Sequence, residues 1–158
     1  MKKIPLTRGE FAIVDDEDFD WISKRKWRCE DNGGNRKYAK SGGAYDSVYM
    51  HCLITKKPPG MQTDHINGNG LDNRKDNLRV VTEKQNHYNQ SIKSNNTSGY
   101  KGVWLYKTKS GTTRFVAEIR KDRVRYHIGV FSTAKEAAIA YNNKSLEIFG
   151  EFGRLNVV

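Results

Sequence analysis

Only two cysteines and three prolines occur among the 158 residues. The cysteines, Cys29 and Cys52, form no Cys-x-x-Cys pair. That excludes a disulfide scaffold or a thiolate zinc site and leaves free thiols in a reducing compartment as the expectation. No run approaches the roughly 18 apolar residues of a membrane span, and the opening "MKKIPLTRGEF" lacks the apolar segment of a secretory signal. An intracellular, cytoplasmic chain with no membrane contact is therefore expected. Acidic side chains are scarce beside basic ones, 18 Asp and Glu against 28 Lys and Arg, for a formal charge of +10. Such an excess points to a polyanionic partner, nucleic acid before an anionic membrane, and nothing implies an obligatory protein partner. Hydrophobic residues make up 36%, too little for one large core, so small modules are expected.

What is present falls into three regions. Up to about residue 57, short apolar runs ("EFAIVDDEDFDWI", "KWRCE", "RKYAKSGG", "SVYMHCLIT") are separated by turns such as "DNGGN". They read as small β-hairpins. Within them "DDED" reads as a solvated acidic loop, with cation binding as its alternative. "KKPPGM" then breaks any ladder. "MQTDH" is strand-like, "INGNGLDNRKDN" is loop chemistry, and "TEKQ" has the capping-box form that predicts a helix starting just after Thr82.

Beyond the polar linker "NQSIKSNNTSG" the period changes to two. Phe115, Ala117 and Ile119 alternate with Glu118 and Arg120, and Val124, Tyr126 and Ile128 with Arg123, Arg125 and His127. "TAKEAAIAYNNKSLEIFG" predicts a helix capped by Thr133 and Glu136 and closed by Gly150. Its Ala137, Ala138, Tyr141, Ile148 and Phe149 form a narrow stripe suited to close packing on a sheet. The expected class is α+β: a β-rich N-terminal segment, a short strand-and-helix unit, and three antiparallel strands packed on one helix.

The densest chemistry lies in "DHINGNGLDNRKDNLRVVTEKQN". Adjacent residues of a strand face opposite sides, so Asp64 and His65 cannot both ligate one ion unless the strand ends there. At a strand end they can divide the work, the carboxylate holding a cation and the imidazole activating water. A carboxylate with an amide oxygen is hard-ligand chemistry suited to Mg2+ or Mn2+. A calcium loop is a poor match because Ile66 stands where its second ligand belongs. A busy but merely solvated Asn/Gly loop is the other alternative.

This stretch closely resembles the HNH homing endonucleases, in particular the phage and intron-encoded nicking type with Asn at the last motif position. The resemblance implies a ββα-metal fold with one divalent cation, inside a bacterial or phage-infected cell. It implies His65 as general base, Asp64 and Asn86 as metal ligands, and Asn77 as the amide that braces the loop and orients the histidine. "MHCLI" resembles the strand segment preceding the motif, with His51 read as structural or DNA-facing. Asn86 stands where histidine is commoner, and His87 should face elsewhere because a helix turns about 100° per residue.

The stretch from "YKGV" through "AEIR", "IGVF" and "EAAIAY" to the final "LN" resembles the plant ethylene-response-factor (Apetala-type) DNA-binding domain. That family lays a three-stranded sheet in the major groove. The implied DNA-binding residues are Trp104, Tyr106, Glu118, Arg120, Arg125 and His127, with Lys101 at the edge. Trp104 replaces a usual Arg and His127 a usual Trp, so base preference does not carry over. Lys93, Lys107, Lys109, Arg114, Lys121 and Arg123 add to the basic set, opposed by Glu118 and Asp122.

The expected organisation is residues 1–48 as a β-rich segment, 49–92 as the nuclease, and 97–156 as the DNA-binding module. The expected activity is metal-dependent phosphodiester hydrolysis in double-stranded DNA by a site-directed endonuclease. A DNA-binding protein with a decayed nuclease motif is the alternative, and RNA binding a weaker one.

Overall fold

The computed structural model describes residues 1–33, 36–92 and 95–158. Gly34 and Asn35 of the "DNGGN" turn, and Lys93 of the basic set, lie outside the described residues. The chain divides into two compact units, Met1–Asn86 and His87–Val158.

In the first unit β1 (Lys2–Pro5) pairs antiparallel with β2 (Phe11–Val14). Their alternation buries Ile4, Ala12 and Val14. Next comes a helix, α1 (Asp16–Ile22), where a solvated acidic loop was expected. Asp16, Glu17 and Asp18 occupy its first turn, where carboxylates face the positive end of the helix dipole. Asp18 is buried and accepts from the Trp21 indole at 3.0 Å. The acids are thus structural: Asp15 accepts the Lys75 backbone N–H at 2.8 Å, and Glu17 pairs with the Lys75 ammonium at 2.6 Å.

β3 (Arg28–Asp31), β4 (Lys37–Ser41) and β5 (Val48–Tyr49) form an antiparallel sheet in that order. The segment "MHCLIT", expected as strand, is helix α2 (Met50–Thr55). Met50 and Ile54 are buried four residues apart, a helical spacing that a six-residue window shows only once a core exists to receive it. Lys56 ends the helix in the left-handed region, φ 47°.

β6 (Gln62–His65) and β7 (Leu78–Val81) pair antiparallel, and α3 (Glu83–Tyr88) follows. The capping box predicted at Thr82 is present: the Thr82 N–H donates to the Gln85 side-chain oxygen Oε1 at 2.9 Å and the Gln85 N–H to the Thr82 hydroxyl at 3.2 Å. One core joins β1 to β4, α1, α2 and the start of β7, running from Ile4 and Val14 through Trp27 and Met50 to Leu78. Residues on both sides of position 48 contribute to it. Cys29 and Cys52 are free thiols.

The second unit has β8 (Val103–Lys107), β9 (Thr113–Lys121) and β10 (Val124–Phe131) in an antiparallel sheet ordered β10-β9-β8, followed by α4 (Ala134–Phe149). Thr133 and Glu136 form the predicted capping box, and Gly150 ends the helix. Val103, Ala117 and Ile119 pack with Ala137, Ala138, Tyr141 and Phe149 into one core. Small residues allow that approach. At Gly102, φ 72°, a Cβ would sit 2.0 Å from the Tyr141 ring. Several small antiparallel sheets and a three-stranded sheet on a helix make the protein α+β. Among the described residues no helix is long and apolar enough to cross a membrane.

Candidate functional site

The β6–β7 hairpin explains how adjacent residues serve different surfaces. Gln62 and Asp64 point to one side of β6, Thr63 and His65 to the other. On the Thr63 side lies α2, whose Thr55 hydroxyl meets that of Thr63 at 2.8 Å. One turn earlier on α2, His51 sets its ring edge-on to His65 with centroids 5.0 Å apart. On the opposite side the Asn86 amide donates to the Gln62 side-chain oxygen at 2.6 Å. Asp64 and Asn86 therefore share a face, and His65 occupies the other at the strand end.

Asp64 and His65 are each only 6% exposed. Arg79, directly opposite Asp64 on β7, donates to the same carboxylate oxygen from Nε at 2.9 Å and from Nη2 at 2.7 Å. Such a charge-assisted pair fixes the orientation of a buried carboxylate. The His65 Nε2 lies 3.5 Å from the Asn73 amide oxygen, a long contact. Burial is the largest influence on His65 and lowers its pKa, opposed by the Asn73 hydrogen bond and by Asp64 and Asp72. Its resting form is the neutral imidazole, the form able to accept a proton.

Around these histidines stands a ring cluster absent from the sequence expectations. Tyr38 has its ring 5.9 Å from His65 and 5.7 Å from His51, and Tyr49 stacks on His51 at 5.3 Å. Burial, then the neighbouring His65 and Lys57, pushes the His51 pKa down to about 3. Gly70 makes the cluster possible, since a Cβ there would meet the Tyr38 ring at 2.5 Å.

Loop 66–77 is held by amides. The Asn77 side chain accepts the Asn67 backbone N–H at 3.0 Å and donates to the Asp72 carbonyl at 2.7 Å. Asn77 thus spans the loop, while the amide that reaches His65 belongs to Asn73. Backbone bonds from Ile13 to Leu71 and from Asn73 to Ile13, both 2.8 Å, pin the loop to β2. Sequence reasoning missed Asn73, Arg79 and Tyr38. Arg79 was findable once the hairpin register was written out, whereas Tyr38 has no local signal.

No group of three or more His, Cys, Asp or Glu gathers as metal ligands among the described residues. The available oxygens are the Asp64 carboxylate and the Asn86 amide, whose nitrogen is already committed to Gln62. Two hard oxygen donors fit Mg2+ or Mn2+ completed by water, and not a nitrogen- or sulfur-rich zinc site.

In the second unit the register places Trp104, Tyr106, Glu118, Arg120, Arg125 and His127 on the sheet face away from α4. Arg125 lies opposite Arg120, and His127 opposite Glu118. Trp104 is 43% exposed, with its ring 6.0 Å from that of Tyr106. Val116 lies on this face too, yet is buried. Lys121 belongs to the other side and donates to the Ile148 carbonyl at 3.2 Å. Lys101 lies before the first strand, its ammonium on the Tyr88 carbonyl at 2.6 Å.

A short hairpin followed by a helix, with imidazole and carboxylate at the strand end, defines a β-β-α site within an α+β protein. The chain belongs to the HNH endonuclease family. A model of that family, described as HNH endonuclease, matches residues 56–88. An uncharacterized HNH endonuclease of Acanthamoeba polyphaga mimivirus is 31% identical over 152 residues, 96% of this chain and 77% of the relative. Protein 3.8 of Escherichia phage T7 is 46% identical over 46 residues, 29% of this chain and 38% of that protein. No solved structure matches the chain. Family membership supports nuclease activity, with DNA as the substrate.

Proposed function

We propose that the protein is a site-directed, homing-type endonuclease that hydrolyses phosphodiester bonds in double-stranded DNA with one divalent cation, Mg2+ or Mn2+, and a histidine general base. The observation that carries this reading is the neutral, buried His65 at the end of β6, back to back with Asp64. His65 takes the proton of the attacking water as its oxygen bonds to phosphorus and the bond to the leaving oxygen breaks. Asp64 and Asn86 would hold the cation, and Arg79 fixes the carboxylate. When bound, the cation stabilises charge on the phosphoryl group and leaving oxygen. Asn77 keeps the loop closed, and Asn73 with His51 orients the His65 ring. Residues 49–92 form the nuclease, supported by residues 1–48 through the shared core.

Residues 97–156 act as an ethylene-response-factor-like DNA-binding module. Its open face offers Arg120 and Arg125 for guanine edges or phosphates, with Trp104, Tyr106, Glu118 and His127 beside them. The alternation of polar and buried residues across β8–β10 supports this face.

A plasmid-nicking assay across magnesium and manganese concentrations tests the reading. Wild-type protein should nick only with cation, and His65→Ala should lose about 10²–10⁴-fold in rate while still binding DNA. Cutting by His65→Ala at the wild-type rate, or its full rescue by extra magnesium, overturns the assignment.

A further inference from the structure

We infer that Tyr38, carried by β4 outside the motif, is a positioning residue for His65, so that the N-terminal segment completes the nuclease site as well as supporting it. The inference rests on His65 as the base proposed above.

Tyr38 stands opposite Glu30 in the β3–β4 ladder. Its neighbour Ala39 is buried in the core, so strand alternation turns the Tyr38 ring to the other face, where it is half-buried. There it meets both histidines. Ring centroids are 5.9 Å apart for Tyr38 and His65, 5.7 Å for Tyr38 and His51, and 5.0 Å for His51 and His65. The three rings close a triangle, with interplanar angles of 50°, 66° and 87° in the same order. Tilted and edge-to-face contacts at these separations are the favoured arrangements of aromatic pairs. Tyr49 backs the triangle, stacked on His51 at 5.3 Å and edge-on to Tyr38 at 5.9 Å.

The second torsion of a histidine is soft on its own, so the direction of the His65 ring has to be set by its neighbours. Tyr38 is one of them, and the loop holds Tyr38 in turn. A Cβ on Gly70 would lie 2.5 Å from the Tyr38 ring and would also strike the Lys37 carbonyl, so the loop backbone runs directly against β4. Three residues on, the Asn73 amide oxygen stands 3.5 Å from His65 Nε2, and the Asn73 N–H donates to the Ile13 carbonyl at 2.8 Å. Tyr38 therefore touches the base, its companion histidine and the loop that carries Asn73. A general base works only with its lone pair aimed at the proton it takes. Misplacement by about 1 Å can cost about 10²-fold in rate.

The test is plasmid nicking at saturating magnesium by the full chain and by Tyr38→Leu, Tyr38→Phe, His65→Ala and the double variant of Tyr38→Leu with His65→Ala. Tyr38→Leu should lower kcat by about 10–100-fold, leaving KM for DNA and magnesium affinity unchanged. Tyr38→Phe, which keeps the ring, should recover most of that loss. In the His65→Ala background Tyr38→Leu should cost nothing further, because it acts through the imidazole. A wild-type kcat in Tyr38→Leu, an equal loss in Tyr38→Phe, or an added loss in the double variant overturns positioning through the ring. NMR of the wild type decides the matter where Tyr38→Leu does not fold: nuclear Overhauser contacts between the Tyr38 and His65 ring protons should be present, and their absence overturns the inference. Undiminished nicking by His65→Ala removes the proposed base and this inference with it. Loss in His65→Ala without loss in Tyr38→Leu removes the inference alone.

Discussion

At the scale of the residue, Asp64 and His65 are chain neighbours in different surroundings, and their substitutions should separate accordingly. Asp64→Ala removes the charged oxygen ligand and leaves Arg79 facing an empty position. Nicking should fail, and manganese affinity, measured by calorimetry, should fall steeply. Asn86→Ala should fall in the same direction but less, because an amide holds a hard cation more weakly than a carboxylate. His65→Ala should keep cation affinity; a loss as large as that of Asp64→Ala would make His65 a ligand. His51 gives a separate pH prediction. Its folded pKa, about 3, lies below the ordinary 6.5, so the unfolded chain takes up the proton first. Stability is full above about pH 6.5 and falls as pH drops towards 3, by about 1.4 kcal/mol per unit. His65, also lowered by burial, contributes in the same direction. Urea melts at pH 7 and pH 5 should show a smaller difference in His51→Phe than in wild type; an equal difference would place the titration elsewhere.

At the scale of the element, two turns in the second unit make opposite demands. Asp122 and Arg123 join β9 to β10 with φ of 52° and 68°, the type I′ geometry that favours glycine at its second position. Arg123→Gly should relieve left-handed strain and stabilise by up to about 1 kcal/mol, offset in part by unfolded-chain entropy. A lower melting temperature would show that the Arg side chain matters more than its backbone. Gly102 is the converse. Any Cβ there meets Tyr141 and the Glu118 carbonyl, at 2.0 and 2.7 Å. Gly102→Ala should destabilise by at least about 1–3 kcal/mol, checked by thermal melting. A neutral outcome would mean that α4 can move away from the sheet.

At the scale of the whole molecule, the division into two compact units suggests a separation of cutting from anchoring. A fragment ending at Asn95 should keep cation-dependent nicking and lose most DNA affinity. Equal affinity of fragment and full chain would show that the second unit is not the anchor. The strands β8–β10, the helix α4 and the cap at Thr82 were legible in the sequence because period-two alternation and capping boxes are signals between near neighbours. So was the crowding of acid, imidazole and amide in residues 64–86. α1 and α2 were not legible: at seven and six residues they are too short to propagate on local propensity, and packing against the core decides them. Nor were the partners that make the site, since Tyr38, Ile13 and Asp15 come from distant parts of the chain. The sequence by itself determined which chemical groups are present and the local period of the longer elements. The tertiary structure decided which of those groups meet: Arg79 on Asp64, Asn73 and His51 on His65, Lys101 on the Tyr88 carbonyl. Its reason is that such contacts depend on loop closure and shared burial, which no short window of residues contains.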